Sequence, residues 1–513
     1  MIVDMADRVH KSLLNAKVNL IFYFLSLFFS FFSRKIFLDC LGAEFIGLTG
    51  TLGNILGYLN LAELGVGAAI SFFLYKPIQT QNREEINEII SVFGYLYRKI
   101  GEFILLGGMV VSLFFPWIFS KADLGLGIIY FSFFSFLGSS LIGYFINYRQ
   151  ILLTADQKNY LVAVYFQSAG LVKTALQIFL AYTYKNLFVW VAIEFLFGII
   201  GCVILNWKIN KEYPWLKSNV KNGKVLLKKY PTIMTNTKQV FIHKIKDFLL
   251  SKSDELFIFA FVSLKMVAYY GNYTMIITKI SQLFTYVLDG VGAGVGNLVA
   301  EGDKKNMMKV FWELMAIRHF IAGFLFTSLF FLLEPFISLW LGPEYIMDRT
   351  ILILLLVYIY MMQSRGVVDM FNHAHGLYAD TWSAWAELVL NVGITLIAGY
   401  FYGIIGILLG KIVSVFLIVV FWKPYYLFSS GFKLPISIYW KGTIRYYLIF
   451  GISFVCVNVL NSLFPFAASS GWFSLIGYAC VVMICYLIVN SLLLYLFALG
   501  IKDILLRLRG AVK

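Results

Sequence analysis

The sequence predicts an all-α polytopic membrane protein with about 14 transmembrane helices, built as two six-helix bundles and a C-terminal helix pair. Three observations predict it. Of 513 residues, 60% are hydrophobic and only 13% charged, whereas a soluble globular chain is nearer a quarter charged. Apolar runs long enough to cross a bilayer, roughly 20 residues each, recur along the whole chain. Short motifs in the first half return in the second, on either side of one basic linker.

The chain opens with a basic segment, "MIVDMADRVHKSLLNAKVN", followed by a long apolar helix with no small-residue cleavage motif. That pattern predicts a first membrane span rather than a removed signal peptide. Apolar runs then fall near 15–37, 44–75, 89–119, 126–149, 158–182, 186–207, 238–264, 267–300, 307–340, 350–372, 380–401, 403–425, 443–464 and 472–500. Between Tyr446 and Ile501 there is no charged residue.

Orientation follows from Lys and Arg in the short loops. With the N-terminus inside, Arg8, Lys11, Lys17, Lys76, Arg83, Arg149 and Lys158 all lie inside, as do Lys304, Lys305, Lys309, Lys423, Lys433, Lys441 and the basic tail. The outer loops hold scattered cations such as Lys121, Lys185 and Arg349. Both termini are therefore expected on the cytoplasmic side. The net charge of +15 would raise nucleic acid binding in a soluble chain. Here it reads as the basic side of a membrane protein, with no nucleic acid partner.

The one sizeable linker, between spans six and seven, alternates lysines (Lys208 to Lys238) with Trp, Leu, Val and Tyr. That suits an interfacial amphipathic segment on an anionic leaflet. The expected organisation is 1–207 as an N-terminal bundle, 208–237 as a cytoplasmic linker, 238–425 as a second bundle, and 426–513 as the extra pair with a cytoplasmic tail.

Four motif pairs support the duplication. "AEFIGLT" from Ala43 resembles "AYYGNY" from Ala268, "GVGAAI" from Gly65 resembles "GVGAGV" from Gly290, "FFPWIFS" from Phe114 resembles "LEPFISL" from Leu333, and "TADQ" from Thr154 resembles "YADT" from Tyr378. They stand in order, at offsets between 219 and 225 positions. Duplicated bundles are a transporter design, with the substrate at the interface of the repeats. Gly65, Gly67, Gly290 and Gly292 are assigned to close helix packing and bending, because small residues let helices approach in lipid.

An ionisable residue within a span costs ~3 kcal/mol on insertion scales and is a functional candidate by default. Arg34, Lys173, Lys279 and Arg318 have no evident same-helix partner and are candidates for binding an anion, with Arg365 added to the basic set. Arg and Lys suit phosphate, Arg through a bidentate fork. Glu63, Glu194, Asp254, Asp369 and Glu387 are candidates for sodium or proton coupling, or for partnering those bases. The bland readings stand beside these. Arg98/Glu102 and Arg365/Asp369 are i,i+4 pairs that can neutralise each other, and Lys35 and Lys411 can snorkel to an interface. His373 and His375 lack a carboxylate or Cys spaced for a metal, and the five cysteines have no metal-ligand spacing.

The block "SRKIFLDCLGAEFIGLTGTLGNILGYLNLAELGVGAAISFFLYKPI" resembles the start of bacterial polysaccharide transporters, as does "SDELFIFAFVSLKMVAYYGNYTMI". These are the O-antigen and exopolysaccharide flippases of the MOP exporter superfamily. The resemblance covers spans 1–12. Family members usually have Asn beside the Asp of the second block, where this chain has Glu255. The resemblance implies a flippase in the bacterial cytoplasmic (inner) membrane. Its substrate would be undecaprenyl-diphosphate-linked oligosaccharide, moved by alternating access and handed to polysaccharide polymerase machinery for capsule, O-antigen or exopolysaccharide. It implies no bound cofactor beyond a coupling Na+ or H+.

Two rivals are weighed. A MATE-like cation-coupled drug antiporter predicts an acidic, apolar cavity and twelve spans. A membrane polymerase or ligase predicts catalytic groups in a large outer loop, but the outer loops here are short and carry no nucleophile–base pair. The expected protein is a transporter, not an enzyme.

Overall fold

The computed structural model describes residues 2–63, 66–289, 292–377, 380–463 and 468–504. Among the described residues there is no strand, and each of the fourteen apolar runs has a helical counterpart. In the first half these are α1 (Ile2–Leu41), α2 (Ala43–Leu59), α3 (Val66–Gln79), α4 (Arg83–Ser112), α5 (Leu126–Ala155), α6 (Asn159–Tyr184) and α7 (Leu187–Glu212). A short α8 (Gly223–Lys229) lies in the linker. Then come α9 (Thr232–Phe261), α10 (Leu264–Asp289), α11 (Gly292–Glu301), α12 (Lys304–Trp340), α13 (Arg349–Ala374), α14 (Thr381–Tyr402), α15 (Ile404–Phe432), α16 (Ile436–Leu463) and α17 (Trp472–Phe497).

Ten of the described helices are long and apolar enough to cross a membrane, and the protein is an all-α, multi-pass membrane protein. The other four runs fall on α2–α3, α4, α9 and α10–α11, and each is interrupted or charged. After α2 the chain tightens into a 3-10 turn, Asn60–Glu63. The others carry Arg98 and Glu102, Asp254 and Glu255, and Lys265 and Lys279 respectively. At the GVGA motifs, α3 resumes at Val66 and α11 opens at Gly292, while Gly65 and Gly290 lie outside the described residues. A Cβ on Gly67 would meet Ile151 and Tyr97 at 3.9 Å, an ordinary contact, so close packing does not demand glycine there.

The chain divides into two compact units, Met1–Ala268 and Tyr269–Lys513. The division lies beyond the 208–237 linker because α9 packs against α2 and α3. A Cβ on Gly47 would stand 1.8 Å from the Leu264 carbonyl oxygen, so only glycine admits that approach. On the same face, Asn54 donates to the Glu255 carboxylate at 2.5 Å.

The first unit has an apolar core where α3, α4, α5 and α7 converge, around Ile70, Ile90, Phe93, Leu153 and Leu205. The linker closes one end of it. The Lys217 N–H donates to Asn87, the Asn219 N–H to Ser91, and Lys229 and Tyr230 to the Glu88 carboxylate. Leu226, Leu227 and Val220 pack inward, while Lys221, Lys224 and Lys228 face outward and are exposed. This arrangement matches the amphipathic pattern of its sequence.

The second unit is centred on Phe311, Phe371 and Phe428, whose rings meet edge to face at 5.4–5.6 Å. Such pairs contribute ~0.5–1.5 kcal/mol each beyond burial. The charge-free pair α16–α17 packs on α12, where the Tyr446 hydroxyl donates to the carbonyls of Trp312 and Leu499. The outer faces of this pair, including Leu448, Ile452, Phe473 and Ile488, are exposed and apolar, as lipid contact requires. Where α14 meets α15, a Cβ on Gly406 would come within 1.9 Å of the Ala398 carbonyl, and one on Gly410 within 2.4 Å of Thr395. These glycines let α14 and α15 approach backbone to backbone, as small residues do between helices in lipid.

Candidate functional site

In the first unit the span charges meet across helices. Glu63, at the end of the 3-10 turn, accepts hydrogen bonds from the Tyr97 hydroxyl of α4 and the Tyr144 hydroxyl of α5, each at 2.5 Å. Lys173 of α6 donates to Glu194 of α7 at 2.5 Å. The second Glu194 oxygen accepts from Gln177 at 3.0 Å, and the same amide also donates to the Trp190 carbonyl. Asn60, Glu63, Tyr97, Tyr144, Asn147, Lys173 and Glu194 line a cavity of about 580 Å³. Two carboxylates face one ammonium there. Asn147 is 3% exposed and its side-chain oxygen has no partner among the described residues. A second cavity, about 640 Å³, lies between α1, α6 and α7 and shares Phe166, Gly170, Lys173 and Glu194 with the first.

In the second unit, Arg318 of α12 and Arg365, Asp369 and His373 of α13 line a cavity of about 670 Å³. Arg365 pairs with Asp369 at 3.1 Å along one helix face. Arg318 is 6% exposed. Its guanidinium fits because α13 carries Gly366, where a Cβ would stand 2.9 Å from the Arg318 Cζ. Gln363 also lines the cavity, and its carbonyl oxygen lacks a partner among the described residues. Two guanidinium groups and one carboxylate thus share the lining of this cavity. The next residue, His319, turns the other way. Its ring stacks on Tyr446 at 4.9 Å and its Nδ1 meets the Tyr360 hydroxyl at 3.1 Å.

The structure thus brings Glu63, Lys173 and Glu194 to one cavity and Arg318, Arg365 and Asp369 to another. Arg34, Lys279, Asp254 and Glu387 line none of these three cavities. Arg34 donates to the Ala268 carbonyl at 2.9 Å. Asp254 and Glu387 are buried, and Lys279 is half-buried. Lys173, a candidate anion ligand, has Glu194, a candidate charge partner, across the helices. Among the described residues no cluster of three His, Cys, Asp or Glu could hold a metal ion.

Sequence reading missed Tyr97, Tyr144, Gln177 and Asn147, which are neutral and so carry no signal inside an apolar run. It also passed over the aspartates of the "TADQ" and "YADT" pair. Asp156 accepts from Tyr213 at 2.8 Å and pairs with Lys158 at 2.8 Å. Asp380, 7% exposed, accepts from Trp422 at 3.0 Å and Lys423 at 2.9 Å. Each of these aspartates ties a loop to a helix or its end.

No protein-family model and no curated protein matches the sequence. Solved structures do. The chain superposes on "Lipid II flippase MurJ, inward closed conformation" with a TM-score of 0.65 at 15% identity, covering 93% of this chain and 99% of that one. It also superposes on an inward-facing multidrug resistance MATE family transporter of the MOP superfamily, with a TM-score of 0.56 at 14% identity, covering 82% of this chain and 99% of that one. The chain therefore has the fold that the lipid II flippase and the MATE transporter share.

Proposed function

We propose that the protein is a MOP-superfamily transporter that flips undecaprenyl-diphosphate-linked oligosaccharide from the inner to the outer leaflet of the bacterial cytoplasmic membrane, for polysaccharide assembly. The observation that carries this reading is the cavity of Arg318 and Arg365 in a chain with a flippase fold. A diphosphate needs fixed, positively charged donors, and guanidinium groups supply them. The fuller coverage by the flippase than by the MATE transporter supports it. So does the internal repeat, whose halves rock against each other in alternating access. The termini lie in the cytoplasm on this reading, and Glu63 and Glu194 carry coupling to Na+ or H+.

The test is reconstitution in proteoliposomes with a short-chain prenyl-diphosphate-linked disaccharide, measuring its arrival in the opposite leaflet. Arg318→Ala and Arg365→Ala each lower the rate at least tenfold. Wild-type rates in both variants would overturn the assignment. A second reading, a MATE-like cation-coupled drug antiporter, is favoured by the acidic excess of the Glu63–Glu194 cavity. It predicts ethidium export driven by a cation gradient, with no movement of the lipid.

A further inference from the structure

We infer that the 640 Å³ cavity between α1, α6 and α7 is a saccharide-binding subsite, distinct from the Arg318–Arg365 anion cavity. The inference deepens the flippase reading and rests on it for the origin of the sugar.

The cavity's size lies within the range of small-molecule pockets, and its chemistry is that of a neutral, hydroxyl-rich ligand. The charges in its wall cancel, since Lys173 and Glu194 hold each other at 2.5 Å. No excess charge remains to select a phosphate. Its other polar groups are amides and hydroxyls: Asn19, Gln167, Thr174 and Gln177. On α1, Ser26, Ser30 and Ser33 form one stripe facing it. Ser30 donates back to the Ser26 carbonyl at 2.6 Å and Ser33 to the Ser30 carbonyl at 3.4 Å. Each hydroxyl has one donor, so this back-bonding leaves the serine lone pairs as acceptors.

Aromatic faces complete the set. Phe22, Tyr23 and Phe29 line the α1 side, and Trp190 lines the α7 side. Phe37 and Phe45 pin the Trp190 ring edge-on at 5.5 Å. The indole N–H has no acceptor among the described residues, although a buried Trp usually finds one. A sugar ring offers C–H faces to aromatics and hydroxyls that both donate and accept. It can therefore engage the exposed amides and the serines together while its faces lie against the rings. An acyl chain would offer no partner to the serine lone pairs or to the Asn19 and Gln167 amides, and unpaired polar groups in a membrane are costly.

The test uses the full chain in lipid nanodiscs with three probes: free N,N′-diacetylchitobiose, the same disaccharide on a short prenyl diphosphate, and geranylgeranyl diphosphate without sugar. Binding is read by saturation-transfer NMR and titration. Trp190→Phe keeps an aromatic side chain but shrinks the face that a sugar would stack on. Gln167→Ala alters an exposed position and so spares the fold. Each substitution is expected to weaken disaccharide binding at least fivefold. If the free disaccharide shows this loss, a saccharide alone suffices for the subsite. If only the lipid-linked one does, the sugar belongs to the flipped substrate. Both results support the inference. Equal affinity in wild type and variants, or no saccharide binding while geranylgeranyl diphosphate binds, overturns the subsite and leaves the flippase reading standing. Failure of all three probes overturns both.

Discussion

Lys173 and Glu194 hold each other across α6 and α7 at 2.5 Å, in the wall that two cavities of the first unit share. Gln177 fixes the second carboxylate oxygen. The pair is thus part of a built network, not a chance meeting of long side chains. Removing one partner strands the other in a weakly solvated wall. Lys173→Met and Glu194→Gln should each lower the melting temperature, and the double variant should lower it by less than the sum of the two. A coupling energy of about 1–3 kcal/mol is predicted from the cycle, towards the lower end because the side chains are 22% and 27% exposed. Thermal unfolding of the four purified proteins measures it.

Gly366 makes room for Arg318. A methyl group there would stand 2.9 Å from the guanidinium carbon, so Gly366→Ala must displace the arginine. Roughly tenfold weaker binding of geranylgeranyl diphosphate is expected, close to the loss in Arg318→Ala, with little further loss when the two are combined. Titration of the variants in nanodiscs checks this.

Gly47 lets α2 meet the start of α10 through bare backbone. A Cβ 1.8 Å from the Leu264 carbonyl cannot be absorbed by a side-chain rotation. Gly47→Ala is expected to destabilise the first unit by about 1–3 kcal/mol, seen as a lower melting temperature. Gly53→Ala, which meets nothing within 4 Å, serves as the neutral control.

The linker is clamped by a pH-dependent contact. Hydrogen bonds from Lys229, then from Tyr230, hold the Glu88 carboxyl below its ordinary 4.5. The hydrogen bond to Glu88 raises the Lys229 ammonium above its ordinary 10.5. A depressed carboxyl contributes stability above its unfolded value and loses it as pH falls through the folded one. A raised ammonium contributes below its unfolded value and loses it as pH rises through the folded one. The linker should therefore resist proteolysis at pH 7 and open both in acid below 4.5 and in strong base above 10.5. Lys229→Gln should weaken that protection at pH 7 and shift its acid loss upward. Limited proteolysis with an acid-stable and an alkali-stable protease reads out both limbs.

The helices were legible because apolar runs of spanning length leave little choice of structure in lipid. The candidate charges were legible for the same reason, since Glu63 or Arg318 stands out inside such a run. Their partners were not. Tyr97 and Tyr144 lie 34 and 81 positions from Glu63, and no local pattern announces a contact at that separation. The grouping of α9 with the first unit was hidden too, because it depends on the packing of α9 on α2 and α3, as in the Asn54–Glu255 hydrogen bond, and not on the conspicuous lysines of the linker. The π-helical turn at Ala163–Gln167, which carries Phe166 and Gln167 to the cavity wall, has no composition of its own to signal it.

The most direct measurement of the central claim is cellular. In a strain lacking the native flippase, wild type, Arg318→Ala and Glu63→Ala are expressed at matched levels, and surface polysaccharide and lipid-linked oligosaccharide are quantified together. Wild type is expected to restore the polysaccharide, while Arg318→Ala does not and accumulates lipid-linked oligosaccharide inside. A wild-type protein that leaves surface polysaccharide absent but protects cells from cationic drugs would contradict it.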